Sequence, residues 1–125
     1  MTAGIVIFAH GSRVEAANDA VRAVAEMTAR AGGFTQVEVA FLELAEPGLA
    51  EAVRRLVNQG QRRILVVPYF LTLGTHLQRD LPAMVESAAR SYPDVEIRVT
   101  PPLDEHPLLH RIVLDRARAG LEDWR

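Results

Sequence analysis

Arg63-Ile-Leu-Val-Val-Pro-Tyr-Phe-Leu71 is the most apolar stretch of the chain, and its reading decides the fold. A short, β-branched apolar run of this kind reads as a central, buried strand, and Pro68 near its end marks a bulge or the loss of ladder pairing. Working outward toward the N-terminus, Gly4-Ile-Val-Ile-Phe-Ala9 has the same character and stops at His10-Gly11-Ser12, a strand entering a turn. Ala17, Val21, Val24 and Thr28 then recur at helical spacing, predicting a helix from about Val14 to Ala31 that Gly32-Gly33 stops. A strand over Gln36 to Leu42 follows, with Glu43 just past its end. Next comes a helix from about Pro47 whose stripe is Leu49, Ala52, Val53 and Leu56, closed by Asn58 and Gly60.

Beyond the central run, Thr72 to Thr75 reads as a loop, and His76 begins a helix with Leu77, Leu81, Met84, Val85 and Ala88 on one face. Val95 to Val99 reads as a fourth strand leading into Thr100-Pro-Pro-Leu103. Pro107 then opens a last helix in which Leu109, Ile112 and Val113 are expected to face inward. The pattern is β-α repeated four times. It predicts an α/β fold with a four-stranded parallel sheet, right-handed crossovers and helices on both faces, as a single domain over residues 1–125.

Composition narrows the function. With 125 residues and 49% hydrophobic content, the chain can bury about two-thirds of its unfolded surface in one core. It has no cysteine, which excludes a disulfide framework, a thiolate metal site and a cysteine nucleophile, so any metal must sit on nitrogen and oxygen. The start, Met1 to Phe8, lacks a basic leader pattern, and no stretch approaches the roughly 18 apolar residues of a membrane span, so a soluble, cytoplasmic protein is expected. A net charge of −2 argues against a nucleic-acid protein that relies on a broad basic surface. All the cations are arginine, a residue suited to bidentate carboxylate recognition and equally a product of GC-rich coding.

In an open parallel sheet, ligands bind beyond the carboxyl ends of the strands. His10 follows the first strand, Glu43 the second and His76 the third, so the fold carries all three to one edge. Gly11 permits close backbone approach, Ser12 can cap the helix while offering its hydroxyl, and Arg13 adds a cation. Each has a plainer reading. His10 can be a hydrogen-bonded turn residue, His76 a polar residue at a helix start and Glu43 a solvated loop acid beside Glu46. Together, two imidazoles and a carboxylate make an open site for a borderline divalent ion, with metal–ligand distances of about 2.0–2.2 Å. The separations match no short metal motif, and spacing alone names no reaction.

Three segments, Phe8-Ala-His-Gly-Ser-Arg13, Val39-Ala-Phe-Leu-Glu43 and Val67-Pro-Tyr-Phe-Leu-Thr-Leu-Gly-Thr-His-Leu-Gln-Arg-Asp-Leu-Pro82, resemble the short-form sirohydrochlorin chelatases, in order and at the family's spacing, from about Gly4 to Ile112. The resemblance implies a class II chelatase fold that inserts Co²⁺ toward cobalamin or Fe²⁺ toward sirohaem, without ATP and with no permanently bound cofactor. It implies that His10 and His76 are the metal and catalytic residues, with Glu43 at the matching acidic position. It also implies a homodimer, which the apolar Tyr69 to Leu73 segment supports weakly. The chain departs from the family at Leu103-Asp104-Glu105-His106-Pro107, where a glycine often follows the leucine, and it has no histidine-rich insertion.

Metallation requires that the ion lose water, the pyrrole N–H protons leave and the ring distort toward the metal. Neutral imidazoles can hold and release a partly dehydrated ion, and either histidine or Glu43 can accept a pyrrole proton. For a polycarboxylate substrate, Ser12, Arg13, Gly74, Thr75 and Arg79 are the candidate anchors, through side chains or helix-start N–H groups; Arg79 reads equally as a surface residue. His106 reads as a turn residue and His110 as a helix-surface residue. No phosphate-binding G-x-x-x-x-G-K-[ST] stretch is present. Histidine phosphatases also open on a strand and His-Gly, but Ala9 stands where their arginine is expected. A non-catalytic metal or tetrapyrrole carrier is the rival from another class, and turnover separates it from an enzyme.

Overall fold

The computed structural model describes residues 3–124; Met1 and Thr2, at the head of the chain's apolar start, and Arg125 lie outside the described residues. Four strands, β1 (Gly4–Ala9), β2 (Val37–Phe41), β3 (Arg63–Pro68) and β4 (Glu96–Val99), alternate with four helices, α1 (Glu15–Gly32), α2 (Leu49–Asn58), α3 (Thr75–Ser91) and α4 (Leu109–Glu122). All strand pairs are parallel, in the order β2-β1-β3-β4. The expected α/β sheet of four parallel strands is the one observed.

β1 and β3 share the centre, and β1 is buried along its whole length. Because side chains alternate across a strand, the two faces of β1 enter different cores. Val6 and Phe8 pack with Ala40, Ile64 and Val66 against α2 and α3, through Leu49, Ala52, Val53 and Leu56 of the first and Leu77 and Leu81 of the second. Ile5 and Ile7 meet Val37, Val39 and Val67 under α1, through Ala25 and Val21. The stripes read for α2 and α3 are the packed ones.

Three expectations need correction. The stripe of α1 is rotated: Ala17 is exposed, and the fully buried positions are Asn18 and Ala25. A polar Asn18 on the inner face hid the true period from a count of apolar residues. Second, β3 ends at Pro68 rather than Leu71. Proline has no N–H for the ladder, and the chain leaves the sheet after Tyr69 N–H bonds the Phe8 carbonyl at 2.7 Å. Third, the last helix does not face inward. α4 buries none of its residues, and Ile112 and Val113 are 60% and 64% exposed. Its apolar period is present, but among the described residues no surface buries it. The sheet beneath β3 and β4 on the α1 side is correspondingly open, a shallow cavity lined by Ala3, Arg63, Leu65, Glu96 and Arg98.

Leu56 lies fully buried against Gly4, where a Cβ would come within 2.9 Å of its side chain. Leu56→Ala is therefore expected to lower unfolding free energy by about 2–5 kcal/mol in urea titration, since neighbours this tightly placed cannot collapse into the cavity. An unchanged urea midpoint would contradict this packing.

Candidate functional site

The parallel order carries the ends of β1, β2 and β3 to one edge, and the ladder continues past the strands. Leu42 N–H bonds the Ala9 carbonyl at 2.8 Å and Glu43 N–H bonds the His10 carbonyl at 3.1 Å. These two bonds lay the loop after β2 directly against the turn after β1. Only glycine fits at the crossing. Gly11 has φ +92°, and a Cβ there would lie 1.8 Å from the Glu43 carbonyl oxygen.

The result is a side-chain pair: His10 Nε2 lies 3.6 Å from Glu43 Oε1, with both side chains more than half exposed. His10 Nδ1 lies 3.1 Å from the Gly11 carbonyl. A carbonyl can only accept, so this contact is made with the proton on Nδ1, and Nε2 is the ring nitrogen that faces the Glu43 carboxylate. The Phe70 ring meets His10 edge-on, with centroids 6.5 Å apart, and Phe70 in turn rests on buried Phe8. One wall of the pair is thus a fixed aromatic edge.

The His10-Gly11-Ser12 turn is anchored from below by a residue that motif reading missed. Asn18, 1% exposed, accepts from Ser12 N–H at 2.9 Å and donates to the Ser12 carbonyl at 2.8 Å and to Glu15 at 3.2 Å. Arg22 clamps Glu15 at 2.6 Å and lies 5.3 Å above the Phe41 ring. The bond from Arg22, and after it the one from Asn18, holds the Glu15 carboxyl below its ordinary pKa. A polar side chain at an inward helical position was the available signal. Ser12 does not cap α1 as expected. Its hydroxyl accepts from Val14 N–H at 3.0 Å, ahead of a helix start that no side chain caps.

His76 is the second residue of α3, and Gly74 and Thr75 form the junction before it. Its Nδ1 lies 3.4 Å from Arg79, a solvent-facing residue that also reaches Asp80 at 3.5 Å. Arg13 is exposed on the turn after β1. The structure joins His10 to Glu43 and does not join His76 to them: among the described residues, no three His, Asp or Glu side chains converge closely enough to hold an ion. His106 is a turn residue, its Nδ1 accepting from Leu108 N–H at 3.0 Å, and His110 is exposed on α4. The departure at Leu103–Asp104 is absorbed locally. Asp104 N–H bonds the Leu71 carbonyl at 2.7 Å, and the left-handed residue of that loop is Glu105, φ +65°.

The CbiX family profile matches residues 4–119, which takes in every strand and most of α4. The chain belongs to the CbiX family of sirohydrochlorin chelatases. A sirohydrochlorin cobaltochelatase of Methanopyrus kandleri is 34% identical over 137 residues, covering 94% of this chain and 96% of that protein. The chloroplastic sirohydrochlorin ferrochelatase of Arabidopsis thaliana is 37% identical over 113 residues, covering 90% of this chain and 50% of its own length. A crystal structure of the sirohydrochlorin chelatase SirB from Bacillus subtilis in complex with cobalt superposes with a TM-score of 0.88 at 30% identity, over 95% of this chain and 51% of that one. The chain thus spans nearly all of one relative and about half of the other two. No helix among the described residues is long and apolar enough to cross a membrane.

Asn18→Ala is expected to leave the Ser12 N–H and carbonyl without their partner in a nearly closed space, at a cost of about 1–3 kcal/mol in urea unfolding. Gly11→Ala is expected to be worse for the site than for the core. The added Cβ must push the Glu43 carbonyl away, so Gly11→Ala is expected to lower the urea midpoint while circular dichroism still reports a folded sheet. An unchanged midpoint would contradict the close crossing.

Proposed function

We propose that this chain is a sirohydrochlorin chelatase, a lyase that inserts a divalent ion, Co²⁺ foremost and Fe²⁺ next, into a polycarboxylate tetrapyrrole without ATP. The observation that carries the reading is the His10–Glu43 pair, a histidine with its Nε2 3.6 Å from a carboxylate oxygen, open to solvent at the ligand edge of a chelatase fold. The ion and the tetrapyrrole are both substrates. The residues 1–125 act as one chelatase domain, and the cytoplasmic setting expected from the sequence belongs to the same reading.

His10 takes the incoming ion on Nε2, with the Nδ1–Gly11 bond holding the ring's aim. His76 is the second ligand. Its contact with Arg79 is exposed and 3.4 Å long, weak enough for a metal to displace it. Imidazole nitrogen grips cobalt and iron without thiolate strength, so the ion can pass on to the pyrrole nitrogens. Glu43, within reach of the same space, accepts a pyrrole proton as the ring closes on the metal. Ser12, Arg13, Gly74, Thr75 and Arg79 surround this edge and serve the substrate's carboxylates through guanidinium, hydroxyl and helix-start N–H groups.

A homodimer is part of the proposal. Its support is α4, whose Ile112, Val113 and Leu121 stay at least 60% exposed, together with the open sheet patch under β3 and β4. A helix that leaves several large apolar side chains exposed is characteristic of an interface. Sedimentation velocity is expected to show a dimer, and the double substitution Ile112→Asp with Val113→Asp a folded monomer; a wild-type monomer at micromolar concentration would refute the dimer.

The reaction is tested by the absorbance change of sirohydrochlorin with Co²⁺, and with Fe²⁺ without oxygen. Wild type is expected to turn over many times, His10→Ala to fall to the rate without enzyme, and His76→Ala to lose most activity through a raised KM for metal. Stoichiometric binding with no gain in rate would instead mark a metal or tetrapyrrole carrier, and full activity in both variants would remove the site.

A further inference from the structure

Leu44 occupies a position that the fold itself gives no reason for. Its φ is +66°, a left-handed conformation in which the Cβ of any L-residue crowds the following carbonyl and which glycine or asparagine adopts more readily. Its side chain is 51% exposed, so apolar burial does not repay that crowding. The backbone around it is nevertheless fixed. Phe41 N–H bonds the Pro47 carbonyl at 2.8 Å, and the bonds of Leu42 and Glu43 to Ala9 and His10 hold the loop from the other side. Strained backbone that persists under such constraint gathers where a protein handles its ligand. Leu44 directly follows Glu43, whose carboxylate faces His10.

Two other loops of the same edge also expose large apolar side chains. Val14, after β1, is 64% exposed, and Leu71, after β3, is 65% exposed. The chemistry of metallation explains why apolar groups belong here. The four pyrrole nitrogens lie in one plane, and the ion reaches them along a line perpendicular to it. Whatever releases the ion must therefore face the flat, apolar side of the macrocycle, while the carboxylates point outward around its rim. Apolar side chains on this edge are suited to the ring's face, while polar groups such as Ser12 and Arg13 are suited to its rim.

We infer that Leu44, with Val14 and Leu71 exposed on the neighbouring loops of the same edge, is the seat on which the face of the tetrapyrrole rests next to the metal ligands, and that Leu44 sets affinity for the macrocycle and not for the ion. The inference rests on the chelatase reading and adds to it a residue that grips the ring itself. Because the loop's backbone is already held, contact with a flat partner costs no further ordering of the main chain.

The deciding variant is Leu44→Gly, because glycine suits the positive φ and leaves the fold as stable as before or more so. Its expected behaviour is a KM for sirohydrochlorin raised roughly fivefold to tenfold, the effect of withdrawing part of one leucine's burial. The KM for Co²⁺ and Co²⁺ binding without tetrapyrrole should stay at wild-type values. Leu44→Met, which keeps the apolar volume, should restore most of the loss. A wild-type tetrapyrrole KM in Leu44→Gly overturns the seat, and so does an equal rise in the KM for Co²⁺, which would mean that Leu44 merely holds Glu43 in place. His10→Ala assayed alongside separates the two levels. If it is inactive while Leu44→Gly is unaffected, only the seat falls; if it is fully active, the chelatase site falls.

Discussion

The site depends on a single constraint: the parallel ladder between β1 and β2 does not stop where the strands do. The bonds from Leu42 to Ala9 and from Glu43 to His10 carry the contact two residues beyond β2 and one beyond β1. The two loops then have no freedom to diverge, and Gly11 is the residue that lets them touch. From this follows the approach of Glu43 to His10, while Asn18 holds the Ser12 turn from beneath. Removing the crossing would leave the core of α1, α2 and α3 on the sheet intact while the functional pair came apart.

Much of this was legible in the sequence because the elements that position the site are those whose apolar spacing is cleanest. Leu49, Ala52, Val53 and Leu56 repeat at helical spacing with no polar interruption, and all four are buried. The β-α alternation then carried His10, Glu43 and His76 to one edge. What stayed hidden has physical causes. Asn18 is polar, so a count of apolar residues passes over it, although its two bonds to Ser12 are the reason it faces inward. Ile112 and Val113 obey the apolar period, but periodicity says only that a face wants burial, not that the same chain buries it. The separation of His76 from the other two donors depends on the loop from Tyr69 to Gly74, whose path no periodic signal encodes.

The cysteine-free composition and the open pair describe one chemical choice. A chelatase must not become a storage site, and on the proposed reading nitrogen and oxygen donors that remain more than half exposed would bind an ion while leaving it exchangeable. The weak contact between Arg79 and His76 fits the same requirement, since a donor that is lightly engaged is available at small cost. Specificity for the ring therefore falls to groups other than the ligands.

The His10 ring is aimed by the carbonyl of its own chain neighbour, Gly11, at 3.1 Å. Many metal-binding histidines are steered by a carboxylate or carbonyl from a distant element, so that changes at two places must stay matched. Here the steering group is covalently adjacent and contributed by main chain. The aim of the ring within the turn is thus set by His10 and Gly11 alone, while Asn18 and the crossing with Glu43 fix where the turn sits. Divergent chains can therefore keep the aimed imidazole so long as they keep those two supports.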